Sequence, residues 1–227
     1  MPKIIQPKAI KGSQHWLQEL VNHRPDLLAD ALRPKLGLSR DDIITWLSPL
    51  KASNHAEHQD EDFLEQLSIH LENRPLRSFW PSGGAVWDGL GKTSRGDVIL
   101  IEAKAHIKEL TSQARAKSPS SIKLIQQSLD ETKRFFGADP SADWSQRYYQ
   151  YANRLAHFYL LRHLNGIPAW LIFLYFINDN EMAGPKSVEA WRSAIEGVHA
   201  HLDIKPDKLG PYVVDVFFDV AEFSQIK

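Results

Sequence analysis

The stretch Asp97-Val98-Ile99-Leu100-Ile101-Glu102-Ala103-Lys104 decides how this chain is read. Four successive apolar residues, three of them β-branched, predict a strand buried on both faces. Side chains alternate along a strand, so Glu102 and Lys104 share one face, together with Val98 and Leu100. An acid and an amine leave water there only at a cost of several kcal/mol, on the order of the penalty per buried ion, unless they pair or serve a ligand.

A second acid lies upstream. Ala85 to Leu90 also reads as a strand, with Asp88 on the face of Val86 and Leu90, and Gly91 to Gly96 supplies the turn into Asp97–Lys104. A hairpin of these two strands brings Asp88, Glu102 and Lys104 towards one end. Two carboxylates and a backbone carbonyl suit a hard divalent cation such as Mg²⁺ or Mn²⁺. The same residues also suit a plain buried ion pair of Lys104 with Glu102 or Asp88, and strand parity leaves both readings open.

Outward from the hairpin, the chain changes period. Ahead of it, helical patterns are expected over Ser13–Asn22, from Pro25 to Leu32, behind Ser39 and Asp42 over Ile43–Leu47, and over Asp60–Leu71. Ser78–Trp80 reads as a first short strand. After the hairpin, helix is expected from about Ile107, over Ser120–Phe136 and over Asp143–Leu164. Then follow an apolar strand over Ala169–Ile177, a helix over Ser187–Leu202 and an alternating strand over Tyr212–Val220. The order predicts an α/β protein, a mixed central sheet flanked by helices. Its expected division is an N-terminal helical extension over 1–59 and a core over 60–227, packed as one unit.

The chain has 227 residues and no cysteine, which excludes disulfides, thiolate metal sites and cysteine nucleophiles. No hydrophobic leader is evident, and the longest apolar run is too short to cross a bilayer. A cytoplasmic protein with no membrane partner is therefore expected. The net charge of −1 excludes a strongly basic duplex-coating module, so any contact with nucleic acid must come from a local patch. Candidates for that patch are Arg95 beside the hairpin, and Lys108, Arg115, Lys117 and Lys123 beyond it.

Asp88 followed by Glu102-x-Lys104 on an apolar strand, within this element order, resembles the PD-(D/E)xK superfamily of restriction-endonuclease-like nucleases. The resemblance spans about Asp60 to Asn178 and departs at Val86-Trp87-Asp88, where no proline precedes the aspartate. It implies a restriction-endonuclease-like core and Mg²⁺- or Mn²⁺-dependent hydrolysis of phosphodiester bonds in nucleic acid, with DNA favoured. Asp88, Glu102 and the carbonyl of Ala103 would be metal ligands and Lys104 the catalytic lysine. Duplex cleavage would suit a homodimer. The alternative is a non-catalytic protein on a nuclease-like scaffold, binding nucleic acid or protein.

Five further residues are secondary candidates. Asp60 and Glu61 open the helix before the strands, where an acid could reach the metal, although Asp60 also suits a helix cap. Glu109 could join a second metal or complement a helix dipole. Gln150 and Asn153 lie on a polar seam with Gln146 and His157, and would face the site if that helix packs beside it.

Overall fold

The computed structural model describes residues 4–224. Five strands form the central sheet in the order β1–β4–β5–β6–β7: β1 (Ile44–Ser48), β4 (Gly89–Thr93), β5 (Val98–Lys104), β6 (Ala169–Ile177) and β7 (Val213–Asp219). The β1–β4 and β4–β5 pairs are antiparallel, and β5–β6 and β6–β7 are parallel. The molecule is thus mixed α/β, with a five-stranded mixed sheet flanked by helices. Among the described residues no helix is long and apolar enough to cross a membrane.

Every residue of β5 and β6 is buried, as expected of strands covered on both faces. Ile99, Ile101 and Ala103 point to one layer, made by α1 (Gly12–His23) and α2 (Pro25–Leu36) through Leu17, Leu20, Leu28 and Leu32. Val98 and Leu100 point to the other, built mainly from α5 (Pro119–Phe136) and α6 (Tyr149–Tyr159). A π-helical turn, Leu160–Leu164, continues α6. The helix α7 (Val188–Leu202) is capped by Ser187, whose hydroxyl accepts from the Ala190 N–H at 3.2 Å. Trp191 ties α7 to the sheet, its indole N–H donating to the Phe176 carbonyl at 2.8 Å.

Several local expectations are corrected. Ile43–Leu47 is not helical: Ile44–Ser48 is the edge strand β1, because the Asp42 carboxylate binds Ser39 and Arg95 and pairing with β4 satisfies the backbone. The first 59 residues are therefore not a purely helical extension, since they supply a strand and one covering layer of the same core. Ser78–Trp80 is not a strand, its place taken by the short helix α4 (Leu76–Phe79). The helix from Asp60 ends at Gln66 (α3, Asp60–Gln66), and Ile107–Leu110 is a single 3₁₀ turn. The helix expected from Asp143 starts at Tyr149, because the Asp143 carboxylate binds the backbone of Ser145 and Gln146 in a turn.

One break positions the site. The strand expected over Ala85–Leu90 is divided at Asp88. Val86–Trp87 (β3) pairs with His58–Gln59 (β2) in a separate two-stranded sheet, and Gly89 begins pairing in the main sheet opposite Ile101. The chain changes partners at the aspartate.

Candidate metal centre

Where β4 gives way to β3, the far end of β5 loses its neighbour on that side. Val98 donates its N–H to Pro168 on the β6 side, so by alternation the backbone groups of Ile99, Ile101 and Ala103 face β4. Past Gly89 there is no β4 backbone to meet Ala103. The Asp88 side chain does so instead, Oδ2 accepting from the Ala103 N–H at 2.8 Å. The Ala103 carbonyl faces the same vacated edge. Asp88, Ala103, Glu102 and Lys104 thus meet at one strand end.

Glu102 is 1% exposed and holds two cations. Its Oε1 accepts from Lys104 Nζ, and its Oε2 from Arg154 Nε at 2.6 Å. Arg154, on α6, also donates to the Val86 carbonyl at 2.6 Å and to Asn153 Oδ1 at 3.0 Å, with its guanidinium 5.0 Å from the centre of the Trp87 ring. Lys104 donates in addition to Gln150 Oε1 at 3.0 Å. A third acid stands nearby: Glu57, buried just before β2, accepts from the amides of Gln6 and Gln14.

Three acids, Glu57, Asp88 and Glu102, face two bases, Lys104 and Arg154, and the titration of the acids and of Lys104 reflects this. Burial, with the Glu102 charge, pushes the half-buried Asp88 carboxyl up to about 8. Burial raises Glu57 too, and Glu102 adds to it. For Glu102 burial acts upward, but Arg154 and Lys104 outweigh it and hold the carboxyl below its usual range. For Lys104 burial acts downward, yet Glu102 and Asp88 outweigh it and raise the amine above its usual value. Lys104 is therefore an ammonium, suited to neutralising charge and not to taking a proton.

Two openings adjoin the centre. A void of about 10 Å³ beside Glu102, Lys104 and Gln150 is at the threshold for a single water. A cleft of about 320 Å³ opens along α6, lined among others by Gly83, Gly84, Arg115, Gln150, Asn153 and Arg154.

The secondary candidates separate. Gln150 reaches the centre through Lys104, and Asn153 reaches it through Arg154. Asp60 does not: in a left-handed conformation (φ 55°) it accepts from the N–H groups of Gly83 and Gly84 at 3.0 Å each and pairs with Arg77 at 3.3 Å. Glu61 also pairs with Arg77, and Glu109 accepts from Ser13 at 3.0 Å. Among the basic candidates, Arg95 forks onto Asp42 at 2.9 and 2.5 Å, at the turn end of the hairpin and away from the centre. Lys108, Arg115, Lys117 and Lys123 are exposed, and of these Arg115 lines the cleft. His58 pairs with Asp62 at 2.6 Å.

Sequence reasoning missed Arg154 and Glu57. Arg154 follows Gln150 by one helical turn, a spacing that signals a shared face. Glu57 sits in a polar connection and carries no local signal.

Among the described residues no group of three or more His, Asp or Glu side chains is arranged to hold a metal ion. A cation here would rest on Asp88, Glu102 and the Ala103 carbonyl. That donor set is hard and oxygen-only, which fits Mg²⁺ or Mn²⁺ provided Asp88 gives up its proton and Glu102 Oε2 is released. Comparison with protein-family models, curated proteins and solved structures finds no match to this chain.

Proposed function

We propose that this protein is a metal-dependent nuclease with a restriction-endonuclease-like core, hydrolysing phosphodiester bonds of nucleic acid, with DNA the favoured substrate. The observation that carries the reading is the meeting of Asp88, Glu102, Lys104 and the Ala103 carbonyl at the end of β5, where the strand switch leaves the edge open. The strand order, an antiparallel hairpin followed by two parallel strands, supports the same core. A divalent cation on these ligands would polarise the phosphodiester and lower the pKa of a bound water. Lys104, held as an ammonium by Glu102 and steadied by Gln150, would offset negative charge gathering on the phosphate. Arg115 and the cleft beside α6 would receive the substrate backbone.

The test is cleavage of plasmid and single-stranded DNA with Mg²⁺ or Mn²⁺ by wild type, Asp88→Ala and Lys104→Ala. Loss of activity in both variants is expected. Activity surviving in both would end the assignment.

A second reading, a non-catalytic binding protein on the same scaffold, is favoured by one observation: both Glu102 oxygens are engaged by protein cations. Calorimetric titration with Mn²⁺ separates the two, because a folded protein that takes up no Mn²⁺ would be the binding protein.

A further inference from the structure

Arg154 makes more bonds around the centre than any other residue there. It contacts Glu102, Val86 and Asn153, and it is 4% exposed. Its presence on Glu102 is not needed for neutrality, since Lys104 already faces that carboxylate. Among the described residues, Asp88 and Glu57, by contrast, form no salt bridge: Asp88 binds a backbone N–H and Glu57 two amides. Arg154 also lines the neighbouring cleft with Arg115 and Gln150, so its guanidinium stands in the wall between the carboxylates and the cleft. A divalent cation on Glu102 Oε2 would compete with the Arg154 guanidinium for that oxygen's lone pairs and be repelled by its charge.

Resting on the metal-centre reading above, we infer that Arg154 is an exchangeable internal cation, holding Glu102 Oε2 until a divalent ion arrives and then turning into the cleft to grip a phosphate of the incoming strand. The guanidinium fork matches phosphate as well as carboxylate, so the residue trades one anion for another of similar geometry. Only the side chain has to move, since α6 already presents it to both sites. The ligand pair is a divalent cation on Asp88 and Glu102 and a phosphodiester in the cleft. Linkage then requires each to tighten the other by the same factor.

The experiment is calorimetric titration of Mn²⁺ into the whole folded protein, with and without a short cleavage-resistant phosphorothioate oligothymidylate. Wild type, Arg154→Gln, Arg154→Lys and Asp88→Ala are compared, with folding checked by circular dichroism. Arg154→Gln should bind Mn²⁺ about tenfold more tightly than wild type, while Arg154→Lys, which keeps the charge, should stay nearer to wild type. The oligonucleotide should tighten Mn²⁺ binding to wild type and lose that effect in Arg154→Gln. Equal affinities in wild type and Arg154→Gln, with binding lost in Asp88→Ala, would overturn the exchange and leave the metal centre standing. Absence of Mn²⁺ binding in both folded proteins would remove the metal centre and the exchange together. Should Arg154→Gln not fold, wild type decides alone: Mn²⁺ affinity indifferent to the oligonucleotide overturns the exchange.

Discussion

Arg154 donates its Nε–H to Glu102 Oε2 at 2.6 Å, across 52 residues of chain, and both side chains are almost completely withdrawn from water. With Lys104 on the other oxygen, Glu102 is the anion on which two buried cations depend. Glu102→Gln keeps the shape and removes the charge, leaving Lys104 and Arg154 buried without it. A loss of about 3–5 kcal/mol in unfolding free energy is expected, the usual cost of breaking a buried pair. Urea unfolding measures it, and a loss below about 1 kcal/mol would mean that the cations find other partners.

Asp88 should destabilise the fold as pH rises. Its carboxyl is raised to about 8 in the native protein from an ordinary value of 3.8, so between these limits the folded state binds more protons than the unfolded. Stability from this group is full below the lower limit and is lost as pH rises through the upper one. Asp88→Asn retains an acceptor for the Ala103 N–H and never ionises. Its melting temperature relative to wild type should therefore climb steadily from about pH 5 to about pH 8, and a constant difference would refute the shift.

His157 should act with the opposite slope. It is 1% exposed among Phe63, Trp80 and Trp87, its Nδ1–H donates to the Asn153 carbonyl at 2.9 Å, and its Nε2 has no partner among the described residues. Burial lowers its pKa to about 4 from 6.5. Between those values the unfolded state binds more protons, so stability grows with pH across this window and falls on acidification. His157→Phe, which cannot titrate, should flatten this part of the melting-temperature profile. A profile as steep as that of wild type would assign the acid sensitivity elsewhere.

Gly84 has no room for a side chain. A Cβ there would lie 3.0 Å from His157 Nε2, 3.2 Å from Asp60 Oδ1 and 3.3 Å from Trp80 Cδ1. None of these is the free end of a flexible chain: the rings are packed and Asp60 is held by two backbone N–H groups and Arg77. Gly84→Ala should cost about 1–3 kcal/mol, typical of overpacking. At Gly83 the nearby space is open, but φ is +80°, so Gly83→Ala would be penalised through the backbone instead. Denaturant midpoints of the two variants check both.

The parts of the fold that were legible are those whose pattern is local. Ala169–Ile177 matches β6 residue for residue because nine consecutive apolar residues permit only an element buried all round. Ser187 announces α7 because a hydroxyl at that position satisfies an N–H three residues on. Where a capping pattern preceded only a short apolar run, tertiary pairing overrode it: Ile43–Leu47, behind Ser39 and Asp42, became an edge strand once β4 was available to it. Within the candidate centre, Glu102, Lys104, Gln150 and, one helical turn beyond it, Arg154 were within reach of periodicity, whereas Glu57 was not.

By itself, the sequence determined that Glu102 and Lys104 would lie on one face at the end of a buried strand, because strand parity and an apolar run are properties of adjacent residues. Only the tertiary structure decided what those charges meet. The switch of strands at Asp88 opens the edge at Ala103, α6 delivers Arg154 and Gln150, and the segment before β2 delivers Glu57. The reason is physical. Burial of charge is settled by whichever opposite charges and dipoles the packed fold brings within a few ångströms, and that proximity is written into no single segment of the chain.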